Sequence, residues 1–175
     1  MIFFIDGGSR GNPGPAGYGV RIVDAADQLV DELYESIGVA TNNVAEYSGL
    51  LAALRYAVEH GCRDITIRSD SLLLVCQMKG EYRVKNARLK TLHAEARQLA
   101  SRLGRVRFVH VRREENADAD ALANRAMDEG KKPEAGSQKP LEAGASLRHR
   151  SGQADPAATS KTQERGTWPP TGRLF

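Results

Sequence analysis

The 175-residue sequence predicts an α/β fold, a five-stranded mixed sheet flanked by helices, with a disordered C-terminal tail. Three observations carry this. Short apolar or alternating runs bounded by turn residues recur five times, and each is too short for a helix. Between the later runs lie segments whose apolar residues recur every three or four positions, the period of an amphipathic helix. Past Gly130 both patterns stop, and Pro, Gly, Ser, Ala and charge take over.

The elements follow in order. Ile2 to Ile5 is a continuous apolar run ended by Asp6 and a Gly/Asn/Pro stretch, a buried strand closed by a carboxylate. Tyr18–Val23 and Leu29–Ile37 are strands joined by "DAADQ", a hairpin after the opening strand. "TNNVAEYSGLLAALRYAVEHG" places Val44, Tyr47, Leu51, Leu54 and Val58 on one helical face, with Asn42 or Asn43 as N-cap and Gly61 as stop. "DITIRSD" alternates Ile65 and Ile67 and is a strand ending near Asp70. "SLLLVCQMKG" is a short helix and "NARLKTLHAEARQLASRLG" a longer one. "VRFVHV" is the last strand and "NADADALANRAMDEG" the last helix. Three strands followed by alternating helices and strands imply an antiparallel opening joined to crossover units.

Two regions follow: residues 1–130, and a basic tail at 131–175. The first holds 17 basic and 18 acidic residues, net −1, and the tail holds 8 and 4, net +4. The tail's scattered apolar residues, Trp168 and Phe175 among them, cannot offset the entropy of ordering it. A passive segment and a tether for nucleic acid both fit its charge. No apolar run approaches the roughly 20 residues of a membrane span, and the first residues lack the basic and apolar zones expected of a secretory signal. Cys62 and Cys76 lack metal-site spacing, which suits reduced thiols. A cytoplasmic monomer that does not engage membranes is expected.

The chemistry lies with four acids. In sheets of this kind sites gather beyond the carboxyl ends of parallel strands. Asp6 and Asp70 both close predicted strands, and they meet if those strands are parallel neighbours. Glu46 and Asp120 fall near the starts of two helices, where the dipole favours negative charge. Converging carboxylates repel one another unless cations neutralise them, and all-oxygen ligands select hard ions such as magnesium or manganese. Two such ions suit an in-line phosphoryl displacement.

The motifs "DGGSRGNPGPAGYG", "TNNVAEYSGLLAAL", "IRSDS", "QMKGEYRVKN" and "NADADALAN", in this order, resemble the type I ribonuclease H family, in its short form without an inserted basic protrusion. The resemblance covers residues 1–130. It implies a ribonuclease H-like fold and an endoribonuclease that cuts the RNA strand of RNA–DNA hybrids, leaving 5′-phosphate and 3′-hydroxyl ends. It makes Asp6, Glu46, Asp70 and Asp120 the ligands of two Mg²⁺ ions, with Mn²⁺ as the alternative. Asp118 stands about 200° from Asp120 around the helix and is a solvated or capping acid.

For nucleic acid the resemblance implies that Gly7, Gly8, Asn12, Asn42 and Asn43 approach the minor groove and read ribose 2′-hydroxyls. Gln77 joins them, and Lys85, Asn86 and Arg88 position DNA phosphates or simply form a solvated helix start. Two features depart from many relatives. "RREENA" fills the loop where a His assists, leaving Arg112, Arg113 or the strand residue His110 as substitutes, and the dedicated hybrid-binding domain of some relatives is not expected. A non-catalytic nucleic-acid-binding module of the same fold is the alternative, but such relatives lose one or more acids. A fragment of a larger protein, with the tail as linker, also fits.

Overall fold

The computed structural model describes residues 1–130; the expected disordered tail at 131–175 lies outside the described residues. Strands β1 (Ile2–Ser9), β2 (Gly14–Val23) and β3 (Leu29–Ala40) lead to helix α1 (Asn42–Glu59). Then come β4 (Asp64–Ser69), α2 (Leu72–Lys79), α3 (Ala87–Ser101), β5 (Arg105–His110), a 3₁₀ turn (Arg113–Asn116) and α4 (Ala117–Glu129). The sheet order is β3-β2-β1-β4-β5. β1 and β2 pair antiparallel, as do β2 and β3, whereas β1–β4 and β4–β5 are parallel. The mixed five-stranded sheet matches the expectation from sequence.

Alternation along the strands divides the core. Phe3, Ile5, Ile65 and Ile67 point to the face covered by α1 and α3, where they pack with Leu50, Leu54 and Ala96. Phe4 points the other way and meets Val23 and Ala119 of α4. Burying such side chains contributes roughly 1.5–3 kcal/mol each, so this two-sided core is what holds the strand ends in place.

Several boundaries differ from the sequence reading: β2 begins at Gly14 rather than Tyr18, β3 runs to Ala40 rather than Ile37, and two further differences bear on the site. β1 continues through Gly7 and Gly8 to Ser9, because Asp6 to Ser9 keep pairing with Gly19 to Ala16 of β2. Asp6 is therefore a mid-strand residue, and the first two glycines belong to the strand rather than to a loop. The N-cap of α1 is Thr41, not Asn42 or Asn43; its hydroxyl accepts from the Val44 N–H at 3.4 Å. A β-branched hydroxyl one residue earlier satisfies the same orphan donor and places both asparagines in the first turn.

Candidate active site

Asp6 sits on the α4 side of β1, in the row Phe4–Asp6–Gly8. The β1–β4 register runs from Ile2↔Thr66 to Phe4↔Arg68, and continuing it two residues sets Asp6 beside Asp70. Parallel pairing thus brings two acids 64 positions apart in sequence to one edge. Glu46 arrives from the first turns of α1, which lies close on β1 because Gly7 has no side chain. A Cβ at Gly7 would collide with the backbone of Ala45 and Glu46. One oxygen from each of Asp6, Glu46 and Asp70 lies within 4.8 Å of the others.

Asp120 comes from α4, which needs its own close approach. The face of β2 beneath the helix carries Gly17 and Gly19, opposite Gly8 and Asp6 in register. A Cβ at Gly19 would stand 2.5 Å from the Leu122 Cβ and 2.6 Å from the Ala123 nitrogen. The glycine pair lets α4 lie against the sheet and carries Asp120 to the rim of the cluster. There Arg113 donates to Oδ1 at 3.0 Å and the Asn124 amide donates to Oδ2 at 3.0 Å. Asp118 turns away and pairs with Arg21 at 2.8 Å. The four acids, with Gly7, Gly8, Asn42, Arg113 and Asn124, line one open cavity of about 350 Å³.

The electrostatics reflect this crowding. Burial, then repulsion from Asp70 and Asp120, pushes the Asp6 carboxyl from 3.8 up to about 7. Burial also raises Glu46 well above the ordinary carboxylate range, with Asp6 and Asp70 adding to the effect. Glu46 Oε2 is buried without any hydrogen-bond partner. An orphaned carboxylate oxygen on a member of an all-carboxylate cluster is costly unless a cation faces it. The donor set fits a hard divalent ion.

A family profile described as Reverse transcriptase-like matches residues 4–126. The N-terminal RNase H domain of Rv2228c from Mycobacterium tuberculosis superposes with a TM-score of 0.72 at 46% identity, covering 74% of this chain and 94% of that one. RNase H1 from Halobacterium salinarum gives 0.71 at 41% identity, covering 73% and 97%. The chain belongs to the type 1 ribonuclease H family. A third member, LC11-RNase H1, was solved in complex with an RNA/DNA hybrid; it matches with a TM-score of 0.70 at 42% identity over 73% of this chain and 96% of its own. The mycobacterial match spans only 35% of the full-length bifunctional protein Rv2228c, and the halobacterial Ribonuclease HI match, at 42% identity, spans 63% of that enzyme.

Within this ribonuclease H domain the other candidate residues fall into distinct positions. The Asn12 side-chain carbonyl accepts from the Asn42 N–H at 3.3 Å, tying the β1–β2 loop to the start of α1 beside the acids. Gly8 faces the Met127 side chain of α4, and Gly7 faces α1, so both glycines serve packing directly. Gln77 is buried, its carbonyl taken by the Tyr47 hydroxyl at 2.7 Å. Asn86 caps α3 by accepting from the Leu89 N–H at 3.1 Å. Lys85, Asn86 and Gln77 share a second groove with Leu73 and Tyr82.

Asn116 escaped the sequence reading. It is fully buried, and its amide donates both to the Ile5 carbonyl at 2.9 Å and to Asp70 Oδ1 at 3.2 Å. An Asn before a helix ordinarily signals an N-cap, yet here it makes no capping bond. Its partners are 111 and 46 positions away, so no local pattern pointed to them.

Proposed function

We propose that this chain is a metal-dependent endoribonuclease that hydrolyses the RNA strand of RNA–DNA hybrids, leaving 5′-phosphate and 3′-hydroxyl ends. The observation that carries the reading is the Asp6–Glu46–Asp70 cluster, with its oxygens within 4.8 Å and Glu46 Oε2 unpartnered. Asp6, Glu46, Asp70 and, at the rim, Asp120 are the residues that would hold divalent ions, magnesium in the first instance and manganese as the substitute. Such ions, when bound, neutralise the carboxylates and stabilise the attacking and leaving oxygens of phosphoryl displacement.

The chain's own groups do the remaining work. Asn116 fixes the rotamer of Asp70 from beneath, while Asn124 and Arg113 hold Asp120. Arg113 stands at the cavity mouth as a fixed positive charge where other relatives place a His. His110 lies against the Asp70 backbone, with Nε2 at 3.2 Å from its carbonyl oxygen. The Asn12–Asn42 link, with Asn43, supplies polar groups for ribose hydroxyls beside the acids. The groove of Gln77, Lys85 and Asn86 receives the DNA strand. In this reading residues 1–130 form the catalytic unit and 131–175 an appendage, and the unit acts as a monomer in the cytoplasm, where its free cysteines stay reduced. No described helix is long and apolar enough to cross a membrane.

The test is direct. Labelled RNA–DNA hybrid, duplex RNA and duplex DNA are each incubated with magnesium, manganese or chelator. Cleavage confined to the RNA of the hybrid and abolished by chelator is expected. Cutting of plain duplex DNA, or full activity in chelator, refutes the assignment.

A further inference from the structure

The sheet is covered unevenly. α4 packs on β1, β2 and β3, and among the described residues β4 and β5 keep their α4-side face open. The register shows what that face carries. Thr66 pairs with Arg107, Arg68 with Val109 and Asp64 with Arg105, so each pair projects to the same side. Arg105, Arg107 and Val109 are exposed. Three arginines therefore stand on a flank with one acid, Asp64, whose contact with Arg105 is long at 3.8 Å and solvent-exposed on both sides.

The arrangement is ordered. Arg68 lies over the Phe4 ring, with its guanidinium carbon 5.2 Å from the centroid, and its Nε is buried without a partner. The Arg107 Nε donates to the Thr66 hydroxyl at 3.2 Å, which leaves its terminal amino groups outward. Arg105 and Arg107 alternate along one strand, about 7 Å apart. That repeat is comparable to the spacing of neighbouring phosphates in an extended nucleic-acid strand. Arg68 stands two residues before Asp70, which follows directly on the end of β4, so the basic flank begins where the acid cluster ends.

We propose that this β4–β5 face is a second nucleic-acid contact, holding the phosphates of an unpaired RNA extension that leaves the acid cluster. The inference rests on the ribonuclease reading and adds a track outside the cleft. Charge complementarity selects a polyanion. The choice of a single strand follows from the stacked guanidinium of Arg68 beside exposed Val109, because planar guanidinium and apolar surface suit splayed, unstacked bases. The tail at 131–175 does not complement this flank, since it carries net positive charge.

The experiment compares a blunt hybrid, the same hybrid with a short RNA overhang, and the same hybrid lengthened as duplex. Each is bound by the full chain and by its Arg105→Gln/Arg107→Gln variant, with calcium in place of magnesium to suppress cleavage. The overhang is expected to tighten wild-type binding about three- to tenfold. The double variant should lose that gain, with its salt slope on the overhang substrate reduced by roughly 1.4, about 0.7 for each of two single-strand phosphate contacts. Cleavage of the blunt hybrid in magnesium should be unchanged in the variant. No gain from the overhang, a gain the variant retains, or an equal gain from the duplex extension would overturn the proposal. Absence of blunt-hybrid cleavage by the wild type would instead overturn the functional reading.

Discussion

Replacing Asp6 by Asn should stabilise the metal-free protein while abolishing its activity. In the fold the Asp6 carboxyl titrates near 7 instead of 3.8, because burial and the neighbouring Asp70 and Asp120 disfavour its charge. An acid whose value is raised on folding contributes its stability fully below the unfolded value and loses it as pH climbs through the folded one. Metal-free wild type should therefore weaken between about pH 4 and pH 7. The gap between 3.8 and about 7 corresponds to a ceiling of about 4 kcal/mol at pH 8, at about 1.4 kcal/mol per pH unit. At pH 4.5 the same reasoning leaves about 1 kcal/mol. Asn keeps the shape and can still accept from the Gly7 N–H, but never ionises. In chelator at pH 8, Asp6→Asn should melt on the order of 10 °C above wild type, with the difference shrinking several-fold at pH 4.5. Added magnesium should raise the wild-type melting temperature by mass action and move the variant far less. Thermal denaturation followed by circular dichroism reads both. A variant no more stable than wild type at pH 8, or a difference indifferent to pH, refutes the picture of a strained acid cluster.

Three further outcomes follow from the site's construction. Asp120→Ala should lose at least about tenfold more activity than Asp118→Ala, roughly 1.4 kcal/mol in barrier, because Asp118 only pairs with Arg21 at the surface; equal losses in a hybrid-cleavage assay would show that the cavity geometry misassigns them. Asn116→Ala should cost about 1–3 kcal/mol in urea denaturation by leaving the buried Ile5 carbonyl unpaired, and should lower turnover more than hybrid affinity because Asp70 loses its donor; an unchanged kcat counts against the positioning role. Gly19→Ala should destabilise by about 1–3 kcal/mol through overpacking against α4, with activity falling as Asp120 shifts. Gly38→Ala, strained at φ 72° but with open space around it, should lose stability without that loss of activity.

Much of this was legible in the sequence because local signals and global geometry agree. Runs such as Ile2–Ile5 and Ile65/Ile67 announce strands, and helical spacing from Val44 to Val58 announces α1. What stayed hidden was decided by partners distant in sequence. Pairing with β2, rather than the composition of "DGGS", carries β1 on to Ser9. Gly7 and Gly8, expected to admit a nucleic-acid strand, also stand where α1 and α4 approach β1, a packing role hidden because a glycine's sequence does not say what lies against it. Thr41 took the cap from two better-ranked asparagines because its own hydroxyl already reaches the Val44 N–H. Of the four acids, placement at strand ends and helix starts located the region. The order in which they crowd, three within the cluster and Asp120 at its rim beside Arg113, needed coordinates.

The way α4 is seated on Gly17 and Gly19 has a bearing on how the protein is made. The last acid enters from the final helix of residues 1–130, so a ribosome must have released nearly this whole region before all four carboxylates can converge. A message truncated between β4 and α4 yields a chain with β1, α1 and β4 in hand and no fourth carboxylate. Under the proposed function such fragments would be inert toward nucleic acid rather than weakly and indiscriminately active.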